Sequence, residues 1–138
     1  MSLIPWQESY SLGISEIDSQ HQKMLGIINH LADLFENDKH HNEAEIEQAI
    51  IELTEYAIYH FQTEEKYFAT FNYDKAKEHI EVHDQYREKV EEWRKRYNES
   101  KDPKIFFEIS EFLQNWWIWH INNTDRAYAP LFREHGVN

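Results

Sequence analysis

Read in steps of three and four, the chain carries four apolar stripes, each marking one face of a helix. The first is Ile17, His21, Met24, Ile28, Leu31 and Phe35; it follows Gly13-Ile14-Ser15, where Ser15 or Asp18 is placed to cap, and the polar segment Glu36 to Asn42 ends it. The second spans about Glu43 to Phe71 with Ile46, Ile50, Leu53, Ala57, His60, Glu64, Tyr67 and Phe71 inward, until Asn72 breaks it. The third, from about Asp74 to Tyr97, has Ala76, His79, His83, Tyr86, Val90, Trp93 and Tyr97 inward. Asn98 to Asp102 supply the next turn, and Pro103 suits a first helical turn. The fourth stripe, Ile105, Ile109, Leu113, Trp116 and His120, fades near Thr124, and Pro130 limits any continuation.

Connections this short place successive helices side by side and antiparallel. The sequence therefore predicts an all-α fold, an up-down-up-down four-helix bundle with an N-terminal arm and a short C-terminal tail. There is no internal repeat, low-complexity tract or long linker, so residues 1–138 read as one domain.

Composition narrows the chemistry. Three Gly and three Pro leave too few turn signals for a sandwich or barrel and no Gly-rich phosphate loop, and the absence of Cys excludes disulfides, thiolate metal sites and Cys nucleophiles. A net charge of -12 repels nucleic acid and anionic membrane surfaces, so neither is expected as a partner. No apolar run is long enough to span a bilayer, and Met1-Ser2-Leu3-Ile4-Pro5-Trp6 lacks a basic segment followed by an apolar one, which makes the cytoplasm the expected location.

The outlier is histidine, nine in all, and its placement matters more than its number. Every inward stripe is interrupted by ionisable groups: His21 on the first helix, His60 and Glu64 on the second, His79 and His83 on the third, His120 on the fourth. By contrast, His30 lies beside its stripe, His40 and His41 fall in a loop and His135 in the tail. One inward His is explained by a hydrogen bond in the core, and one His-x-x-x-His pair arises easily by chance in acidic helices. A buried carboxylate with five imidazoles converging on one axis is a different matter, because their lone pairs need a common partner. A metal is such a partner, and the i, i+4 spacing of His60 with Glu64 and of His79 with His83 lets both side chains of a pair reach one site. Imidazole and carboxylate without thiolate suit iron, zinc, copper or nickel rather than calcium or magnesium. Five imidazoles exceed what one tetrahedral ion takes, which favours two ions with Glu64 as a bridge.

Trp6, Gly13-Ile14 to Ile17-Asp18-x-x-His21, His60-Phe61-x-x-Glu64-Glu65, His79-x-x-x-His83, and His120-Ile121-x-x-x-Asp125 followed by Tyr128-Ala129-Pro130 together resemble the hemerythrins, in particular the bacterial single-domain forms. The resemblance runs the length of the chain and implies a non-haem di-iron centre, oxo- or hydroxo-bridged, that binds dioxygen reversibly. It implies His79, His83 and His120 on one iron, His21 and His60 on the other, and Glu64 and Asp125 bridging. Counted this way, the ligands fall one bond short of two six-coordinate irons, which leaves the open position on the iron of His21 and His60. Asp125 enters through the resemblance alone: five residues beyond His120 is about 140° around an ideal helix, so the fourth helix must loosen, widen or end there. Glu65, about 100° from Glu64, should face solvent or a neighbouring helix.

Trp116, Trp117 and Trp119 beside His120 are expected to pack the bundle and fill the space around the metals; a dry shell there slows loss of bound gas as superoxide or peroxide. Asn122 would work against such a shell if it reached the pocket. The function this implies is non-enzymatic: an oxygen carrier, store or delivery protein, or a sensor, although 138 residues leave little room for a sensor's output module. An oxygen-using enzyme or a reductase would be its protein partner. The alternatives are a ferritin-like di-iron oxidase or peroxidase, disfavoured because the chain has no Glu-x-x-His, and an iron-sequestering buffer.

Overall fold

Four long helices carry the stripes in the computed structural model, which describes residues 4–37, 43–100 and 102–138. They are α1 (Ser15–Asn37), α2 (Glu43–Phe71), α3 (Ala76–Ser100) and α4 (Pro103–Trp119). After α4 the chain widens into a π-turn over His120–Asp125, tightens into a 3-10 turn over Arg126–Tyr128, and closes with the short helix α5 (Ala129–Glu134). A 3-10 turn at Glu8–Tyr10 lies in the N-terminal arm. α1 packs on α2 and α4, and α3 packs on the same two helices, which closes the four-helix square that the stripes predict. His40, His41 and the side chain of Phe35 lie outside the described residues.

The helix ends follow local chemistry. Asn72 sits in the left-handed region (φ 54°), and the Tyr73 N–H returns to the Phe68 carbonyl at 3.0 Å, closing α2 with a Schellman-type turn. Tyr73 to Lys75 are used up by that turn, so α3 begins at Ala76, two residues after the expected start. It also runs on to Ser100, because Asn98, Glu99 and Ser100 weaken a helix without breaking it. The break comes at Pro103, whose predecessor Asp102 is extended and caps α4 by accepting from the Lys104 N–H at 2.9 Å. At α1, Asp18 rather than Ser15 ties down the approach: its carboxylate accepts from the Leu12 N–H at 2.8 Å and from the Ser11 hydroxyl. Ser15 instead donates to the Asn138 carbonyl.

The core divides into two apolar clusters. The larger runs along the bundle through Met24, Ile28, Leu53, Ala57, Phe61, Tyr86, Leu113 and Trp117; the smaller holds Leu12, Ile14, Ile17, Phe68, Tyr128 and Phe132. On α1 and α2 the ionisable core residues fall between these clusters, with His21 between Ile17 and Met24, and Glu64 between Phe61 and Phe68. The buried residues of α3 are six of the seven expected, His79 to Tyr97, while Ala76 at its start is half-buried. α2 buries a wider face than its stripe, since Phe61 and Phe68 join Ala57 and Glu64 at the alternative steps of four, three and four. One expectation fails at Trp119, which is 67% exposed, whereas Trp117 is fully enclosed and donates its indole N–H to the Tyr86 hydroxyl at 3.0 Å. Two residues along a helix is about 200°, so one ring of that pair must turn outward.

Candidate metal centre

His21, His60, Glu64, His79, His83, His120 and Asp125 are all buried and meet in the middle of the bundle. Their ligating atoms fall into two groups that share Asp125: Glu64, His79, His83, His120 and Asp125 in one, His21, His60 and Asp125 in the other, with the atoms of each group within 4.8 Å of one another. Asp125 faces both groups. Its Oδ2 lies 2.8 Å from His21 Nε2, and its Oδ1 lies 3.0 Å from His79 Nε2 and 2.8 Å from His120 Nε2. Glu64 Oε1 approaches His60 Nε2 at 3.1 Å and His83 Nε2 at 3.4 Å, with Oε2 3.9 Å from His79 Nε2.

Two of the imidazoles have their tautomer set from outside. Thr63 gives its hydroxyl proton to the Tyr59 carbonyl, so it accepts from the Gln20 amide nitrogen, which turns the Gln20 oxygen toward His60 Nδ1 at 2.7 Å. His60 therefore carries its proton on Nδ1, and Nε2 presents a lone pair inward. Glu65 does the same for His83, accepting from Nδ1 at 3.0 Å while Arg87 steadies the carboxylate at 3.4 Å. The inward nitrogens then face the oxygens of Glu64, acceptor against acceptor. His60 Nε2, His83 Nε2, both Glu64 oxygens and Asp125 Oδ1 are buried without a hydrogen-bond partner among the described residues. Burial of that many lone pairs calls for a cation or protons between them, so the donor set fits a metal.

Protons are what the bare protein uses. Burial favours the neutral ring of His60, yet the Glu64 and Asp125 carboxylates push its pKa up to about 9. Burial and Asp125 would raise Glu64, but His60 and His83 bring it down to about 2. Asp125 is held well below its ordinary value against its own burial, chiefly by His120. His83 is raised, against its burial, by Glu64 and Glu65, while burial lowers His120. The Tyr128 hydroxyl, buried and without a partner among the described residues, is pushed well up by burial and by the nearby Glu64 and Asp125 carboxylates.

Aromatic rings wall the cluster. Phe61 stacks on His83 with centroids 3.9 Å apart and planes 11° apart, and Trp116 stacks on His120 at 4.2 Å and 13°. Asn122 does not join the cluster; its amide nitrogen donates to the Ile118 carbonyl. His30 is exposed. Gln20 escaped the sequence reading although it lies on the apolar stripe, three residues after Ile17 and four before Met24, which is the signal that could have found it.

An antiparallel bundle that buries imidazoles and carboxylates as one cluster defines a metal-binding helical protein. Residues 12–132 match the Hemerythrin HHE cation binding domain. A Bacteriohemerythrin of Pseudomonas aeruginosa is 32% identical over 133 residues, covering 96% of this chain and 84% of that protein. A Bacteriohemerythrin of Clostridium acetobutylicum is 34% identical over 124 residues, covering 89% of this chain and 96% of its own. A crystal structure of wild-type hemerythrin superposes with a TM-score of 0.82 at 22% identity, covering 94% of this chain and 98% of that one, a likeness of fold. The chain belongs to the hemerythrin family. Membership implies a non-haem di-iron centre, and the buried His, Glu and Asp cluster offers the donors for it.

Proposed function

We propose that this protein binds dioxygen reversibly at a di-iron centre, with His79, His83 and His120 serving one iron, His21 and His60 the other, and Glu64 and Asp125 shared. The observation that carries this reading is the set of buried ring nitrogens and carboxylate oxygens, oriented by Gln20 and Glu65, that have no hydrogen-bond partner among the described residues. Iron bound there would supply the affinity for dioxygen and the electrons that reversible binding requires. The chain's own part is to hold five imidazoles in register, to balance cationic charge with two carboxylates, and to keep water out with Phe61, Trp116 and Trp117.

The role is a carrier, store or delivery protein rather than an enzyme. Fewer anionic ligands than in the carboxylate-rich di-iron oxidases stabilise high-valent iron less well, which supports binding without turnover. Residues 1–138 act as one domain in this reading. Among the described residues no helix is long and apolar enough to cross a membrane. The cytoplasm, where an oxygen-using enzyme or a reductase would be the partner, fits this proposal.

The test is to measure metal identity, reduce the protein without air, admit air and then remove the oxygen again. A visible band that appears and vanishes with oxygen supports the proposal. Steady oxygen consumption would identify an enzyme, and metal without an oxygen response would identify a buffer; either outcome overturns it.

A further inference from the structure

We infer that Asn122 and Asn123 are positioning residues for Asp125, which hold the wide turn after α4 open through hydrogen bonds from their side chains to its backbone. In a regular α-helix the five residues from His120 to Asp125 would leave these side chains about 140° apart. The π-turn, with backbone pairing five residues apart, returns Asp125 to the face of His120, and the two side chains meet at 2.8 Å. In such a turn each backbone N–H exchanges the carbonyl four residues back for the one five back, and turns of this kind are rare.

Side-chain amides reach two carbonyls at the mouth of this turn. Asn122 Nδ2 donates to the Ile118 carbonyl at 3.0 Å, and Asn123 Nδ2 donates to the Trp119 carbonyl at 3.1 Å. Both are four residues back, the place an α-helical backbone N–H would take. Asn122 is half-buried and Asn123 is exposed, so Asn122 carries the larger share. Neither is buried and both amides bond to backbone carbonyls, so each acts on Asp125 through the backbone. The chain makes the same bond elsewhere with hydroxyls: Thr54 to Ile50, Thr63 to Tyr59 and Thr70 to Lys66, at 2.9, 3.0 and 2.9 Å. Thr at 122 and 123 should therefore replace the amides.

The consequence for the metal rests on the proposed di-iron centre; the consequence for the backbone does not. The test compares the full chain with Asn122→Ala/Asn123→Ala, with Asn122→Thr/Asn123→Thr and with Thr54→Ala, a back-bond remote from the turn. One measurement is hydrogen–deuterium exchange of amides 120–126, and the other is loss of iron to a chelator. The Ala pair should exchange and lose iron about tenfold faster, the Thr pair should stay within about threefold of the natural chain, and Thr54→Ala should change neither. If the Ala pair does not fold, Asn122→Ala and Asn123→Ala are read singly, with the larger effect expected at 122. Exchange at 120–126 unchanged in the Ala variants, or a Thr pair that behaves like the Ala pair, overturns the inference. A natural chain that retains no iron would sink the proposed function instead, while the exchange measurement still decides the role of the two asparagines.

Discussion

Gln20 on α1 accepts the Nδ1 proton of His60 on α2 at 2.7 Å, and the direction of that bond follows from Thr63, whose own proton is committed to the Tyr59 carbonyl. A three-residue relay that never enters the cluster thus decides which His60 nitrogen faces Glu64. Gln20→Leu removes the relay while leaving the imidazole in place. Its expected effect is a 10- to 100-fold weaker hold on metal, on the order seen when such outer partners are lost, measured by chelator competition. Unchanged retention would mean that packing alone orients the ring.

Substitutions at the ionisable residues should fall into a definite order. Glu64→Ala should lose both ions, because its two oxygens approach His60, His83 and His79. His21→Ala removes one donor from the smaller group and should leave about one ion per chain, as counted by metal analysis. His30→Ala, at an exposed position on the same helix, should change nothing. Loss of metal in His30→Ala with retention in His21→Ala would show that the α1 register is wrong.

The metal-free protein should respond to pH on both limbs. His60 is raised from an ordinary 6.5 to about 9, so the stability it contributes is complete below pH 6.5 and lost as pH rises through 9. Glu64 is lowered from 4.5 to about 2, so its contribution is complete above pH 4.5 and lost as pH falls through 2. His83, also raised, adds to the alkaline loss, whereas His120, lowered by burial, adds stability only as pH rises toward 6.5. The apo protein should therefore be most stable between about pH 4.5 and 6.5. Metal requires deprotonated imidazoles, so the gap in melting temperature between apo and iron-loaded protein should widen from pH 6.5 to 9. Equal melting temperatures across that range would show that metal and protons do not compete for this cluster.

Much of this was legible in the sequence because helices repeat. Steps of three and four locate the buried residues of α3; His21, His60, His79, His83 and His120 appear as polar breaks in apolar stripes, and Glu64 stands out as a carboxylate where Ile or Leu belongs. Asp125 could not be found that way, since periodicity assumes a constant rotation per residue and the π-turn changes it. For Glu65, helical rotation leaves solvent and a neighbouring helix both open, and its bond to His83 depends on how α2 and α3 are set against each other. Trp119 departs from the expected packing because helical rotation separates tryptophans that lie close together in sequence.

Those tryptophans provide the last prediction. Trp117 is fully buried, stacks on Phe61 with centroids 5.7 Å apart, and donates to Tyr86 at 3.0 Å. Trp117→Ala opens a cavity beside His60 and His120 and leaves the buried Tyr86 hydroxyl without its donor, for a cost of about 3–5 kcal/mol. Tyr86→Phe keeps the volume but strands the indole N–H, a cost of about 1–3 kcal/mol. Trp119, 67% exposed, meets solvent instead, so Trp119→Ala should stay within about 0.5 kcal/mol of the natural chain. Denaturant unfolding of the iron-loaded variants reads all three. A Trp119 variant as damaging as the Trp117 one would place the wrong ring in the core and rotate α4 away from the face that carries His120.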